Sequence, residues 1–228
     1  MQTSDLRQAQ DFAKNYGVKS VTYGPPGTGK TPVVNSAPRP VLLAVEPGLL
    51  SMRGSTVPTY VAPTWAKIQE FFTWFHSSND VRNFDTLAVD SVSQICEIYL
   101  RDNPGKHSHG LKLYGAMAEA VGDILHKLYY MPNKHMYIIA KQEIEQTEAG
   151  AGKKRPYFPG NELKVKTPHL FDAILHLDYH VVPGVGPARA FHCHSAFDAV
   201  CRDRTGNLAE YEPPNLTALF AKCMTVSN

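Results

Sequence analysis

The residue types best suited to chemistry stand together near the start of the chain, in the run Gly24-Pro25-Pro26-Gly27-Thr28-Gly29-Lys30-Thr31. Its spacing is G-x-x-x-x-G-K-[ST]: the glycines let successive backbone N–H groups turn inward around an anion, and a helix start behind them adds partial positive charge. A lysine at that place bridges the outer phosphates of a nucleoside triphosphate, and the hydroxyl of Thr31 ligates Mg2+. ATP and Mg2+ are therefore the expected ligands. Asp90 closes the apolar run Thr86-Leu87-Ala88-Val89. A carboxylate at the end of a strand faces the crevice where nucleotides bind and can hold a water of the magnesium shell.

The surrounding pattern says how such groups would be positioned. Residues 18–23 read as a strand entering the glycine-rich loop, and a short helix is expected from about Gly29, with Pro32 tolerated in its first turn and Pro38 and Pro40 closing it. Further strands are expected at 41–45, ending at Glu46, at 59–62, at 86–89 and at 136–140. Thr64 is placed to cap a helix whose Ile68, Phe71, Phe72 and Phe75 keep the i, i+3, i+4, i+7 spacing of a buried stripe. Helices are expected through Val92, Ile95 and Tyr99, along Met117, Val121, Ile124, Leu125 and Leu128, and after Asn215 through Leu216, Leu219 and Phe220. Runs at 173–182, 188–196 and 198–202 carry turn signals between them and read as antiparallel strands. The fold class expected is α/β, a mainly parallel sheet flanked by helices with an antiparallel C-terminal extension, in a single domain over residues 1–228.

Composition narrows the partners. A formal charge of +2 and a pI near 8.3 do not describe a polycation, so any nucleic-acid contact must be local. Cys96, Cys193, Cys201 and Cys223 show no C-x-x-C spacing, which fits a reducing, cytoplasmic setting, and no apolar run reaches the length of a membrane span. His176, Asp178 and His180 share one face of a strand, as do His192 and His194 beside Cys193; strand packing explains them more simply than a metal.

Hydrolysis also needs a group that orients or deprotonates water. AAA+ ATPases keep a Glu directly after the strand Asp, whereas this chain has Ser91. The stretch Leu87-Ala88-Val89-Asp90-Ser91-Val92-Ser93 resembles the Asp-Ser-Val motif of RecA-type recombinases. That resemblance implies a RecA-like P-loop core, with Glu46 as the catalytic carboxylate and Gln142, after Tyr137-Ile138-Ile139-Ala140-Lys141, as a sensor of the terminal phosphate. The whole chain is similar to the phage ATP-binding proteins of the Sak single-strand annealing group. The features that carry this are the loop near the N-terminus, the strand ending at Glu46, Pro159-Gly160-Asn161-Glu162-Leu163 followed by Phe171-Asp172, and Arg202-Asp203-Arg204-Thr205-Gly206-Asn207-Leu208. Pro32 behind Thr31 and the short helix depart from the pattern. The resemblance implies a Mg-dependent ATPase stimulated by single-stranded DNA, acting in annealing or recombination in the host cytoplasm. It also implies a homo-oligomeric ring or filament, with a single-strand-binding protein as a further candidate partner.

RecA-like sheets bind single strands through two loops, here matched by residues 101–112, with Arg101, Lys106 and Lys112, and residues 143–167, with Lys153, Lys154, Arg155, Tyr157 and Phe158. Cations for phosphates and aromatic faces for bases suit that task, although a solvated loop would look the same. Arg202 and Arg204 suit either a finger reaching a neighbouring subunit's ATP or an ordinary hairpin. Three other functions remain open: a AAA+ type motor or loader acting on a protein partner, a small-molecule kinase, and a nucleotide-dependent scaffold.

Overall fold

The computed structural model describes residues 6, 8–13, 15–104, 110–146, 152–196 and 198–226. In chain order the elements are α1 (Ala9–Ala13), β1 (Lys19–Tyr23), β2 (Pro40–Ala44), β3 (Thr59–Val61), α2 (Trp65–Ser77), β4 (Thr86–Asp90), α3 (Val92–Asp102) and α4 (Gly110–Tyr129). They continue with β5 (His135–Ile139), β6 (Gln142–Gln146), β7 (Gly152–Pro156), α5 (Asn161–Lys166), β8 (Ala173–Val182), β9 (Gly186–His192), β10 (Arg202–Asp203), β11 (Tyr211–Glu212) and α6 (Leu216–Cys223). Among the described residues these build a nine-stranded sheet in the order β11-β9-β8-β1-β5-β4-β2-β3, with β10 beside β8, and a separate hairpin of β6 and β7. The strands from β3 to β8 in that order run parallel, while β9, β10 and β11 extend the sheet antiparallel. This is a mainly parallel, helix-flanked sheet with the expected antiparallel extension.

Both faces of the parallel strands are covered, which is why they read as unbroken apolar runs instead of alternating ones. Val21, Tyr23, Leu43, Leu87, Val89 and Ile138 pack under α2, α3 and α4. Leu42, Ala44, Ala88, Tyr137, Leu175 and Leu177 pack on the other face, under α6 and a 3-10 helix at Pro32–Ser36. In α2 the expected stripe of Ile68, Phe71, Phe72 and Phe75 is buried, and the Thr64 hydroxyl accepts from the Lys67 N–H at 3.4 Å. Burying one such ring contributes about 1.5–3 kcal/mol, so the stripe outweighs the cap in holding α2 to the sheet.

Several expectations need correction. The helix behind the glycine-rich loop is only the five-residue 3-10 helix Pro32–Ser36, because Pro32 starts it and Pro38 leaves no length for an α-helix. Ser36 ties it to α6: its hydroxyl accepts from the Leu216 N–H at 2.9 Å and its carbonyl from the Thr217 hydroxyl at 2.7 Å. The segment 143–167, expected as a loop, contains β7, α5 and most of β6, with 147–151 outside the described residues. The strand expected at 188–196 ends at His192, and the one at 198–202 shrinks to Arg202–Asp203. Residues 198–200 are drawn instead to β7, where the Lys154 N–H donates to the Asp198 carbonyl at 2.7 Å and the Val200 N–H to the Lys154 carbonyl at 2.9 Å.

Candidate nucleotide-binding site

The chain leaves β1 through Gly24, where a Cβ would collide with the Leu177 carbonyl, and then turns through Gly27 (φ 83°) and Gly29 (φ 79°). Both φ angles lie in the left-handed region that L side chains avoid, so the glycines of the motif are required by its shape. The Thr28 hydroxyl closes the turn by donating to the Pro25 carbonyl at 2.9 Å. Lys30 Nζ donates to the carbonyls of Gly24 at 2.9 Å and Pro25 at 2.8 Å, which folds the ammonium over the loop. Burial lowers the Lys30 pKa, and the charges of Asp90, Glu46 and Asp178 oppose that shift. On the sheet beneath, the Tyr137 hydroxyl donates to the Lys30 carbonyl at 3.0 Å and pins the end of the loop.

Asp90, the last residue of β4, accepts the Thr31 hydroxyl at 2.6 Å. Burial raises its pKa and nearby Glu46 adds to that, while the Thr31 hydrogen bond and Lys30 act against it. Glu46 arrives from β2, whose pairing with β4 continues through the Val45 N–H to the Asp90 carbonyl at 2.9 Å. Its Oε1 accepts the Ser91 hydroxyl at 2.6 Å, and the Ser91 oxygen in turn caps α3 by accepting the Gln94 N–H at 3.2 Å. The serine that departs from the AAA+ pattern thus orients a carboxylate supplied by the adjacent strand. Gln142 opens β6, with Oε1 3.0 Å from His176 Nε2.

The glycine-rich loop, Lys30, Thr31, Asp90, Glu46 and Gln142 line one cleft of about 700 Å3, which extends to Ile144 on β6. That size suits a small-molecule ligand. A hydroxyl and a carboxylate 2.6 Å apart, with a lysine and a glycine-rich turn alongside, are groups that fit a triphosphate with Mg2+.

Other expected site residues lie elsewhere. Arg202 pairs with Ile174, level with Val21 in the middle of β1, and Arg204 donates to Asp172 Oδ1 at 3.1 Å and to the His169 carbonyl at 2.8 Å, at the end of β1 remote from the loop. Buried Asp172 also accepts the Lys19 N–H at 2.9 Å, so Arg204 serves here as a structural counter-ion. Arg101 donates to Asp102 at 2.8 Å and the Pro63 carbonyl at 2.6 Å, Lys112 is exposed at the start of α4, and Lys106 lies outside the described residues. Phe158 is 2% exposed and belongs to the core, which corrects its reading as a base-stacking ring. Arg155 is also not free: it meets Glu145 at 2.5 Å and Glu143 at 3.4 Å, and together with Lys164 it holds the Glu145 pKa down to about 2. Lys154 pairs with Asp198 at 3.2 Å. Tyr157 is half-buried, its carbonyl accepting the Ser93 hydroxyl at 2.6 Å.

Sequence reasoning missed three contributors. Ser91 was read only as part of the Asp-Ser-Val motif and not as a partner of Glu46, and His176 only as strand packing. Arg189 on β9 rests its guanidinium against the loop, where a Cβ on Gly29 would strike it. The histidines form a row of rings, His176 to His180 at 5.4 Å, His180 to His192 at 5.6 Å and His192 to Tyr211 at 4.9 Å.

A family model described as AAA domain matches residues 16–205. Among solved structures the chain is similar to a KaiC-like protein from the hyperthermophilic archaeon Pyrococcus horikoshii, with 12% identity over 77% of each chain and a TM-score of 0.44. It is also similar to the RadB recombinase, with 17% identity over 81% of this chain and 84% of the other and a TM-score of 0.46. No curated protein matches the sequence.

Proposed function

We propose, from the premise that this chain belongs to the AAA domain family, that it binds and hydrolyses Mg-ATP and couples the nucleotide state to single-stranded DNA, as an annealing or recombination protein of the phage Sak type. The observation that carries the reading is the convergence of Lys30, Thr31 with Asp90, Glu46 with Ser91, and Gln142 on a single cleft.

Each group has a task. Lys30 exchanges the Gly24 and Pro25 carbonyls for phosphate oxygens, which stabilise its ammonium far better than two neutral dipoles do. Thr31 and Asp90 would hold the metal, which when bound offsets charge on the outer phosphates. Glu46, oriented by the Ser91 hydroxyl, takes the proton of the attacking water. Gln142 reads the terminal phosphate and passes its presence to β6, because it is the first residue of that strand and Ile144 lines the same cleft. On β7, Lys153 and Lys154, which lie opposite Glu145 and Ile144 in the hairpin, are the proposed contacts for a DNA backbone, with Tyr157 beside them. Arg202 would reach the ATP of a neighbouring copy in a ring or filament, whereas Arg204 stays paired with Asp172.

A second reading, a motor or loader acting on a protein, draws on the hairpin itself: Glu143 and Glu145 neutralise Arg155 and Lys164, and Ile144 is 60% exposed. Steady-state ATP hydrolysis with and without single-stranded DNA separates the two. Stimulation by DNA supports the first reading, and a rate indifferent to DNA turns the assignment to the second. If DNA binding is favoured by ATP, ATP must bind more tightly to the DNA complex by the same factor.

A further inference from the structure

The chemical action of Gln142 in the cleft depends on which way its carboxamide faces. Its carboxamide can present an oxygen, which would accept from a water, or an NH2, which would donate to a phosphate oxygen. The side chain that touches it is His176 on β8, 1% exposed, level in the sheet with Tyr23, the last residue of β1 before the loop. The His176 ring lies 5.0 Å from that of Tyr23 and 5.4 Å from that of His180, so it is clamped in orientation.

His176 Nε2 faces Gln142 Oε1 at 3.0 Å and Asp178 Oδ2 at 3.9 Å, whereas its Nδ1 is buried with no hydrogen-bond partner. An N–H buried without an acceptor costs more than a bare lone pair, and a carboxylate beside Nε2 favours hydrogen there. Burial, reinforced by Lys154, His180 and His192 and opposed by Asp178, pushes the ring down to about 4, so it is neutral near pH 7. A neutral ring with hydrogen on Nε2 donates to Gln142 Oε1, and the amide NH2 is then left for the cleft.

We propose that His176 is a positioning residue that holds the carboxamide of Gln142 with its NH2 toward the terminal phosphate, making Gln142 a hydrogen-bond donor that distinguishes ATP from ADP. The proposal deepens the function given above and rests on it.

Calorimetric affinities for ADP and a slowly hydrolysed ATP analogue, with Mg2+ present, test it. His176→Phe should weaken the ATP analogue by about tenfold and ADP by no more than about twofold, the loss of one well-aimed bond to an anion. His176→Gln, which retains a donor, should recover most of the difference. In a Gln142→Ala background His176→Phe should change the ATP-to-ADP ratio no further, because the effect passes through Gln142. Gln142→Glu, a substitution at a half-buried position, should lower ATP affinity more than ADP affinity even if His176→Phe fails to fold. Equal losses for both nucleotides, an undiminished effect in the Gln142→Ala background, or wild-type ATP affinity in Gln142→Glu would each overturn the inference alone. A wild-type protein that takes up neither nucleotide would overturn the functional reading beneath it.

Discussion

In Glu46→Gln one carboxylate oxygen becomes an amide nitrogen, while the side-chain shape and the oxygen that accepts the Ser91 hydroxyl are retained. The cap of α3 does not depend on Glu46, so the fold should be unaffected. What is lost is a proton acceptor at the attacking water, a contribution of roughly 10^2 to 10^4 in rate, or about 3–5 kcal/mol of barrier. Binding should move the other way. Glu46 is an anion close enough to raise the Asp90 pKa and to support the Lys30 ammonium, so it also repels an incoming triphosphate. Removing that charge should leave ATP affinity unchanged or tighten it by up to about 1 kcal/mol, the scale of one partly screened charge pair. Phosphate release at saturating ATP, paired with calorimetric ATP affinity, gives both quantities on one preparation. A turnover within about threefold of wild type at unchanged affinity would show that Glu46 is not the base, whatever its geometry.

Lys30→Ala should abolish measurable ATP binding in calorimetry while leaving the unfolding temperature close to wild type; retained micromolar binding would contradict the role of the loop. Lys153→Ala with Lys154→Ala should weaken single-stranded DNA binding and flatten its log–log salt dependence by roughly 1.4, two phosphate contacts at about 0.7 each; an unaltered slope would remove the hairpin from the DNA site. Phe158→Ala should cost about 3–5 kcal/mol in urea unfolding, as a core cavity does, and a stable variant with a selective DNA defect would restore the stacking role. His135 and His176 are each pushed down to about 4 by burial, against about 6.5 in an unfolded chain. Between those values the unfolded chain binds more protons, so the stability these groups allow is complete above about pH 6.5 and falls as the pH drops toward 4, by about 3 kcal/mol for each. Unfolding free energies measured at steps from pH 7 to pH 4 should show that decline, and His135→Leu should reduce its slope; identical slopes would refute it.

The phosphate loop, Asp90 and Glu46 were legible in the sequence because each follows its own strand directly, so local order along the chain becomes proximity at one edge of the sheet. The aromatic stripe of α2 was legible for the same reason, its period being a property of one helix. The β6–β7 hairpin was not. Its strand Gln142-Glu143-Ile144-Glu145-Gln146 has no apolar face, and it is held by cross-strand charge, Glu143 and Glu145 against Arg155, and by Lys164 from α5. Phe158 sits two residues beyond β7 in a polar stretch, and nothing local distinguishes a ring turned into the core from one offered to a base. Arg204 and Arg189 depend on contacts with Asp172 and Gly29, far away in sequence, and side-chain type alone could not assign either.

The single circuit of 3-10 helix behind the phosphate loop is too short to stiffen itself, and its buttress is the last helix, joined to Ser36 across 180 residues of chain. Mechanical load on α6 therefore has a direct route to the nucleotide: two hydrogen bonds join α6 to Ser36, at the end of the 3-10 helix that directly follows Lys30 and Thr31. A bulky fusion that levers α6 outward would loosen the grip on ATP without touching any residue that meets it.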